Sequence, residues 1–312
     1  MALFTSLVDT GDLCGEGPLW DPRRQCLYWT DCVGKRFHRY DWAAARYTAV
    51  KEGLGINGCA FHVDGGFIVS NPSGIWSWDG EGEPRLIHGE IDGHPCQTND
   101  CIADERGRFL TGSFHYDPSI AGYRLGCLFS IDLNGEARVL DEGFHLSNGL
   151  GFSPDGRTLY FTDSVARRIY AYDYDPASGD ASRRRIFVQV PGDEGLPDGL
   201  TVDEQGFVWS AQWYGSCVTR YDPDGTLERR IACPAKQTSS IAFGGPDLTD
   251  VFVTSAGHSE PMPVMPPGYN PASGYVGGAL FHGNLGIRGR TEFSAAIPIP
   301  GVEEASNATA RS

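Results

Sequence analysis

A chain of 312 residues with 40 acidic and 25 basic side chains, net charge −15, lacks the basic patch that nucleic-acid binding leaves; its densest cationic run, Arg183-Arg-Arg185, is a short solvated face. Forty-one Gly and 20 Pro are spread throughout, which suits many short strands, and no stretch reaches the about 18 consecutive apolar residues of a membrane span. Nine cysteines, an odd number with no C-x-x-C pair, argue against a disulfide framework and a thiolate zinc site and point to the reducing cytoplasm.

In chain order, Met1–Val8 has no basic n-region and reaches Asp9 before an apolar h-region forms, so no secretory signal is expected. Leu3–Val8 reads instead as a strand. From Glu16 onward one pattern recurs six times: a small polar or acidic residue, a Gly or similar residue, then a short apolar run. The copies are Glu16-Gly-Pro-Leu-Trp20, Asn57-Gly-Cys-Ala-Phe61, Asn99-Asp-Cys-Ile-Ala103, Asn148-Gly-Leu-Gly-Phe152, Asp198-Gly-Leu-Thr-Val202 and Ser239-Ser-Ile-Ala-Phe243. Successive anchors lie 41, 42, 49, 50 and 41 residues apart. A period of about 40–50 residues is that of propeller blades built from four antiparallel strands.

Within each period an Asp/Gly turn such as Ser153-Pro-Asp-Gly156 follows the anchor run, and then a β-rich run such as Leu27-Tyr-Trp-Thr-Asp31 or Leu159-Tyr-Phe-Thr-Asp163. A third run, a second turn as in Tyr221-Asp-Pro-Asp-Gly225, and a fourth run complete the unit. The expected fold is therefore all-β, a six-bladed propeller of four-stranded antiparallel blades over residues 1–300. Blades start near 16, 57, 99, 148, 198 and 239, and the N-terminal strand adds the outer strand of the last blade. Two stretches exceed the repeat, His115–Tyr123 and His258–Tyr275, and read as loops over one rim. Residues 301–312 read as a polar, disordered tail. Most cysteines fall among strand residues, where a free thiol packs as a small apolar group; Cys96 and Cys233 adjoin prolines in loops.

The innermost strand of every blade lines the central channel, so residues at equivalent positions converge on the axis. Five of the six anchors carry carboxylate or amide oxygens. Asn or Asp before Gly is a common turn dipeptide, and any one of these pairs alone reads as a turn. Their shared phase with Glu16 points elsewhere. Two carboxylates aimed into one narrow channel repel and lose hydration unless a cation offsets them, and an all-oxygen set suits one hard divalent ion. Calcium, magnesium, manganese, zinc and ferrous iron all remain open.

Gly15-Glu-Gly-Pro-Leu-Trp-Asp21, Asn99-Asp100, Ser147-Asn-Gly-Leu-Gly-Phe-Ser-Pro-Asp-Gly156, Tyr160-Phe-Thr-Asp163, Pro197-Asp-Gly199 and Ala242-Phe-Gly-Gly-Pro-Asp-Leu248, in this order, resemble the senescence marker protein/gluconolactonase family of regucalcin-like sugar lactonases. The resemblance covers almost the whole chain. It implies a metal held by Glu16, Asn148 and Asp198, with Asn99 contacting substrate or completing the shell, and hydrolysis of a sugar lactone. Two positions depart from the family: Gln97 stands where an Arg is frequent, and Gly112-Ser-Phe-His-Tyr116 replaces a region with an acidic residue. Gln97, His115, Tyr116, Trp213 and Tyr214 are therefore candidates for the substrate wall.

In the expected reaction the ion polarises the lactone carbonyl and activates water, Asp198 doubles as base, and Asn99 orients the carbonyl. No Gly-x-Ser-x-Gly elbow supplies a serine nucleophile. The expected partner is a small sugar lactone, with no nucleic acid, membrane or obligate protein partner. Rival readings are an esterase or phosphotriesterase of the paraoxonase type, a non-catalytic calcium-binding protein, and a scaffold propeller.

Overall fold

The structure is a computed structural model that describes residues 3–114, 124–258 and 264–301. Six four-stranded antiparallel sheets are arranged in a ring, and no α-helix occurs among the described residues. The innermost strands are Gly15–Asp21, Gly58–Phe61, Thr98–Ala103, Ser147–Phe152, Leu196–Val202 and Thr238–Gly244. Each contacts the innermost strands on either side, which closes a six-membered circle about one axis. The six-bladed propeller read from the repeat is the fold.

Burial follows position in the blade. The second strands, such as Cys26–Asp31, Val208–Trp213 and Asp250–Ser255, are buried throughout, because neighbouring blades cover both of their faces. This explains why they read as continuous apolar and aromatic runs rather than alternating ones. The outermost strand of blade four, Asp180–Gln189, is mostly exposed and carries the arginine run. Aromatic side chains fill the space between blades: Trp20 of blade one stacks on Phe252 of blade six at 5.9 Å.

Blade six takes its fourth strand from the other end of the chain. Thr5–Asp9 pairs antiparallel with Ala279–Asn284, and Leu7, Val8 and Leu280 pack with Trp20, Trp29 and Phe252 at this seam. A hairpin outside the blades, Glu90–Ile91 with His94–Pro95, precedes the innermost strand of blade three.

After blade six, residues 285–299 form a strap across one face of the ring. Gly289 N donates to Leu248 O, and Arg288 O accepts from Glu204 N. The Arg290 guanidinium donates to Phe152 O and Ser153 O. Further on, Ala296 N reaches Gly107 O and Ala295 N reaches Phe61 O. Blades six to two are thus bridged in turn, and Glu292 and Phe293 are carried into the channel from that side.

Candidate metal centre

All six anchors stand at the opposite mouth, where the innermost strands begin. Two devices aim the anchors other than Asn57 toward the axis. The first is an aspartate at the end of each Tyr-(Trp/Phe)-Thr-Asp run. Asp31 accepts from Leu13 N, Cys14 N and Gly34 N, and Asp163 accepts from His145 N, Leu146 N and Ala166 N. Each pins the chain just before an anchor, Glu16 or Asn148.

The second device is a β-bulge repeated in five innermost strands. Pairing skips two residues against one at Gly17-Pro18, Asn99-Asp100, Asn148-Gly149, Asp198-Gly199 and Ser239-Ser240. A bulge bends its strand and re-aims a side chain. Asn99, Asn148, Asp198 and Ser239 lie within their bulges, and Glu16 immediately precedes its own. These Asn-Gly and Asp-Gly pairs are strand residues, not turns. Their glycines are needed for close approach: a Cβ on Gly149 would stand 2.3 Å from Leu200 N, and one on Gly199 2.1 Å from Ser240 Oγ.

Three anchors hydrogen-bond across to the next blade. Asn57 Nδ2 donates to Thr98 O at 3.0 Å and Asn99 Nδ2 to Ser147 O at 2.8 Å, each reaching the next blade. Ser239 Oγ donates to Gly15 O, joining blade six to blade one. Asn148 Nδ2 donates to Ser164 Oγ at 3.2 Å. That amide also stabilises the neighbouring Asp198 carboxylate.

Electrostatically the channel is overloaded with acid. Burial, then the Asp198 charge, pushes the Glu16 carboxyl well above its ordinary range. Burial, then the Asp100 charge, does the same to Asp198, against hydrogen bonds from Gly199 and Asn148. Asp100 is raised by burial to about 6, and Glu292 is raised by burial on the strap side. Asp198 is 3% exposed, and its Oδ1 is buried without a hydrogen-bond partner among the described residues. An orphaned carboxylate oxygen beside a second carboxylate and an amide is a donor set that a divalent cation fits. Beneath it lies a cavity of about 50 Å³ bordered by Asp100, Cys101, Glu292 and Phe293, roomy enough for water.

Glu16, Asn148 and Asp198 are thus brought together, and Asn99 stands in the same ring. Gln97 is exposed at the mouth, where its carbonyl accepts from Phe114 N. Trp213 and Tyr214 are buried in a satellite cluster with Leu196 and Ala256, against Cys14, Val264 and Tyr269. The Tyr214 and Tyr269 rings lie 4.4 Å apart. Trp213 Nε1 is buried with no partner among the described residues. His115 and Tyr116 lie outside the described residues.

Sequence reasoning assigned no role to Asp100, Glu292, Cys14 or Cys32. Asp100 had a signal: it fills the slot after the anchor that holds Gly17, Gly58, Gly149 and Gly199 in other blades. Glu292 had none, because it lies beyond the repeat. Cys14 and Cys32 share a side-chain hydrogen bond beside Glu16, and that bond, then burial, pushes the Cys14 thiol up.

Comparison with known proteins identifies the family. Residues 14–257 match the SMP-30/Gluconolactonase/LRE-like region. The chain is 38% identical over 293 residues to pentonolactonase XacC of Haloferax volcanii, covering 94% of this chain and 98% of that protein. It is 34% identical over 254 residues to a 6-deoxy-6-sulfogluconolactonase of Pseudomonas putida, covering 80% and 86%. Among solved structures it superimposes on a luciferin-regenerating enzyme with a TM-score of 0.84 at 28% identity, covering 95% of this chain and all of the other. A propeller whose inner strands converge on buried acids, matched over this length, belongs to the SMP-30/gluconolactonase family.

Proposed function

We propose that this chain is a metal-dependent sugar lactonase that hydrolyses an aldonolactone to the aldonic acid at the channel mouth. It is a lactone-hydrolysing enzyme, a reading supported by its family and by its kinship with a pentonolactonase and a sulfogluconolactonase. The observation that carries the metal is the orphaned Oδ1 of buried Asp198 beside Glu16 and Asn148. These three residues would hold one divalent ion, which when bound supplies Lewis-acid polarisation of the carbonyl and eases deprotonation of water.

The chain's own groups do the rest. The Asp198 carboxylate accepts the proton of the attacking water. Asn99 spends one N–H on Ser147 O and keeps the other to orient the lactone. The Gln97 amide at the mouth meets sugar hydroxyls, with Trp213 backing the wall from its buried cluster and His115 and Tyr116 expected in the same wall. Nine free thiols support the reducing cytoplasm as its compartment, and no described helix is long and apolar enough to cross a membrane.

The test is a panel of C5 and C6 aldonolactones, with a phosphotriester arm, run on chelator-treated protein reloaded with calcium, zinc, manganese, magnesium or ferrous iron. Lactone turnover should vanish on stripping and return with one of these ions. Full turnover by stripped, folded protein would overturn the metal; turnover of the phosphotriester alone, or ion binding without any turnover, would overturn the lactonase.

A further inference from the structure

A second donor group lies on the same rim as the channel mouth, toward the outside of blade three. His94, Cys127 and Glu142 present a ring nitrogen, a sulfur and a carboxylate oxygen within 4.8 Å of one another. Cys127 Sγ is 3.3 Å from His94 Nδ1. Cys127 and Glu142 are cross-strand partners in Gly126–Ile131 and Ala137–Phe144, so their side chains share one face. His94 comes from the small hairpin before blade three. The three residues are separated by 33 positions (His94 to Cys127) and by a strand pairing, so no short motif announces them.

We propose that His94, Cys127 and Glu142 form a second metal site, for a borderline-soft divalent ion such as zinc. A sulfur and an imidazole nitrogen select zinc over the hard ions suited to oxygen donors alone. Three protein ligands with water in the fourth position give a tetrahedral centre. The burial profile suits loading from solvent: Glu142 is exposed, His94 half-buried, and Cys127 buried at the floor. Coordination forms the sulfur–metal bond and releases the thiol proton to solvent.

The ion has a structural task there. The hairpin has only two residues per strand and is marginal alone. It is docked by Ile91 and Cys96 in the core of blades two and three, and by Asp92 Oδ2, which accepts from Val139 N at 3.1 Å. It runs directly into Gln97 and Asn99. An ion bridging His94 to Cys127 and Glu142 staples the hairpin to the outer strands and fixes one wall of the mouth.

The test uses full-length Asp198→Asn protein, so that the channel site is already disabled, and adds cobalt(II). One cobalt per chain is expected, with a sulfur-to-cobalt charge-transfer band. Both should be lost when Cys127→Ser or His94→Ala is added. Zinc should raise the melting temperature of Asp198→Asn protein and leave the Asp198→Asn/Cys127→Ser protein unmoved. Absence of cobalt uptake by folded Asp198→Asn protein, or a band that survives Cys127→Ser, would overturn the proposal. Since Asp198 is replaced throughout, failure of the lactonase reading leaves these readouts unchanged.

Discussion

Asp198 concentrates the conflict in the channel: a carboxylate taken out of water, close to two others, with one oxygen unsatisfied. Asp198→Asn removes the charge and keeps the shape. It is expected to lower ion affinity by more than about a hundredfold, since even outer partners of metal ligands are worth about 10–100-fold. Lactone hydrolysis should be lost with it. The same change should stabilise the metal-free protein, because it removes a desolvated charge that neighbouring carboxylates repel. Equilibrium dialysis and urea unfolding with chelator check both.

The neighbouring acids set a pH dependence of definite sign. Glu16, Asp100 and Asp198 all have folded values above their unfolded ones, so the fold prefers their neutral forms. Their contribution is fully present below the unfolded values and is lost as pH rises through the folded ones. For Asp100 the window runs from 3.8 to about 6, roughly 3 kcal/mol at about 1.4 per unit. Metal-free protein should therefore lose stability from about pH 4 to 6 as Asp100 ionises and go on losing it above as Glu16 and Asp198 follow, in urea titrations, and a bound divalent ion should flatten that slope.

At the scale of elements, the bulge and its glycine do the positioning. Gly149→Ala drives a Cβ against Leu200 N and Asp198 O, backbone atoms that cannot rotate away. Forcing the inner strands of blades four and five apart should cost about 1–3 kcal/mol, as overpacking does, and should weaken ion binding because Asn148 and Asp198 separate. Thermal unfolding and metal titration of the variant check this.

Arg167 plays a comparable part at the rim. Its Nη1 donates to Pro191 O, Glu194 O and Gly195 O, and its Nη2 to Val264 O at 2.7 Å. The guanidinium ties the approach to the inner strand of blade five to the segment that covers Trp213. Arg167→Ala strands these carbonyls; an expected loss of about 1–3 kcal/mol should accompany a higher KM with a smaller change in kcat. Steady-state kinetics separate the two.

For the whole molecule, the decisive feature is that the ring closes non-covalently on itself. Deleting residues 1–10 strips blade six of its outer strand and exposes the edge of Ala279–Asn284. It also removes Phe4, fully buried with Trp209 and Phe281. Loss of that phenyl alone is worth about 3–5 kcal/mol, so the melting temperature should fall sharply and the open edge should promote association. Calorimetry and size-exclusion chromatography of the truncated chain check this.

The blade period, the β-rich runs and the converging oxygen anchors were legible in the sequence, because each repeat must bury the same faces against its neighbours and so rewrites the same pattern six times. Phase alone aligned the six anchors, and the family resemblance singled out Glu16, Asn148 and Asp198 among them. Asp100 was half-legible, as an acid in a glycine slot. What only the tertiary structure decided lies outside that periodicity: the bulges that turn Asn-Gly and Asp-Gly from turns into axis-facing strand residues, the strap that lowers Glu292 into the channel, and the meeting of His94, Cys127 and Glu142. Those depend on contacts between segments distant in sequence, whose residue types carry no local mark of the partner they will meet.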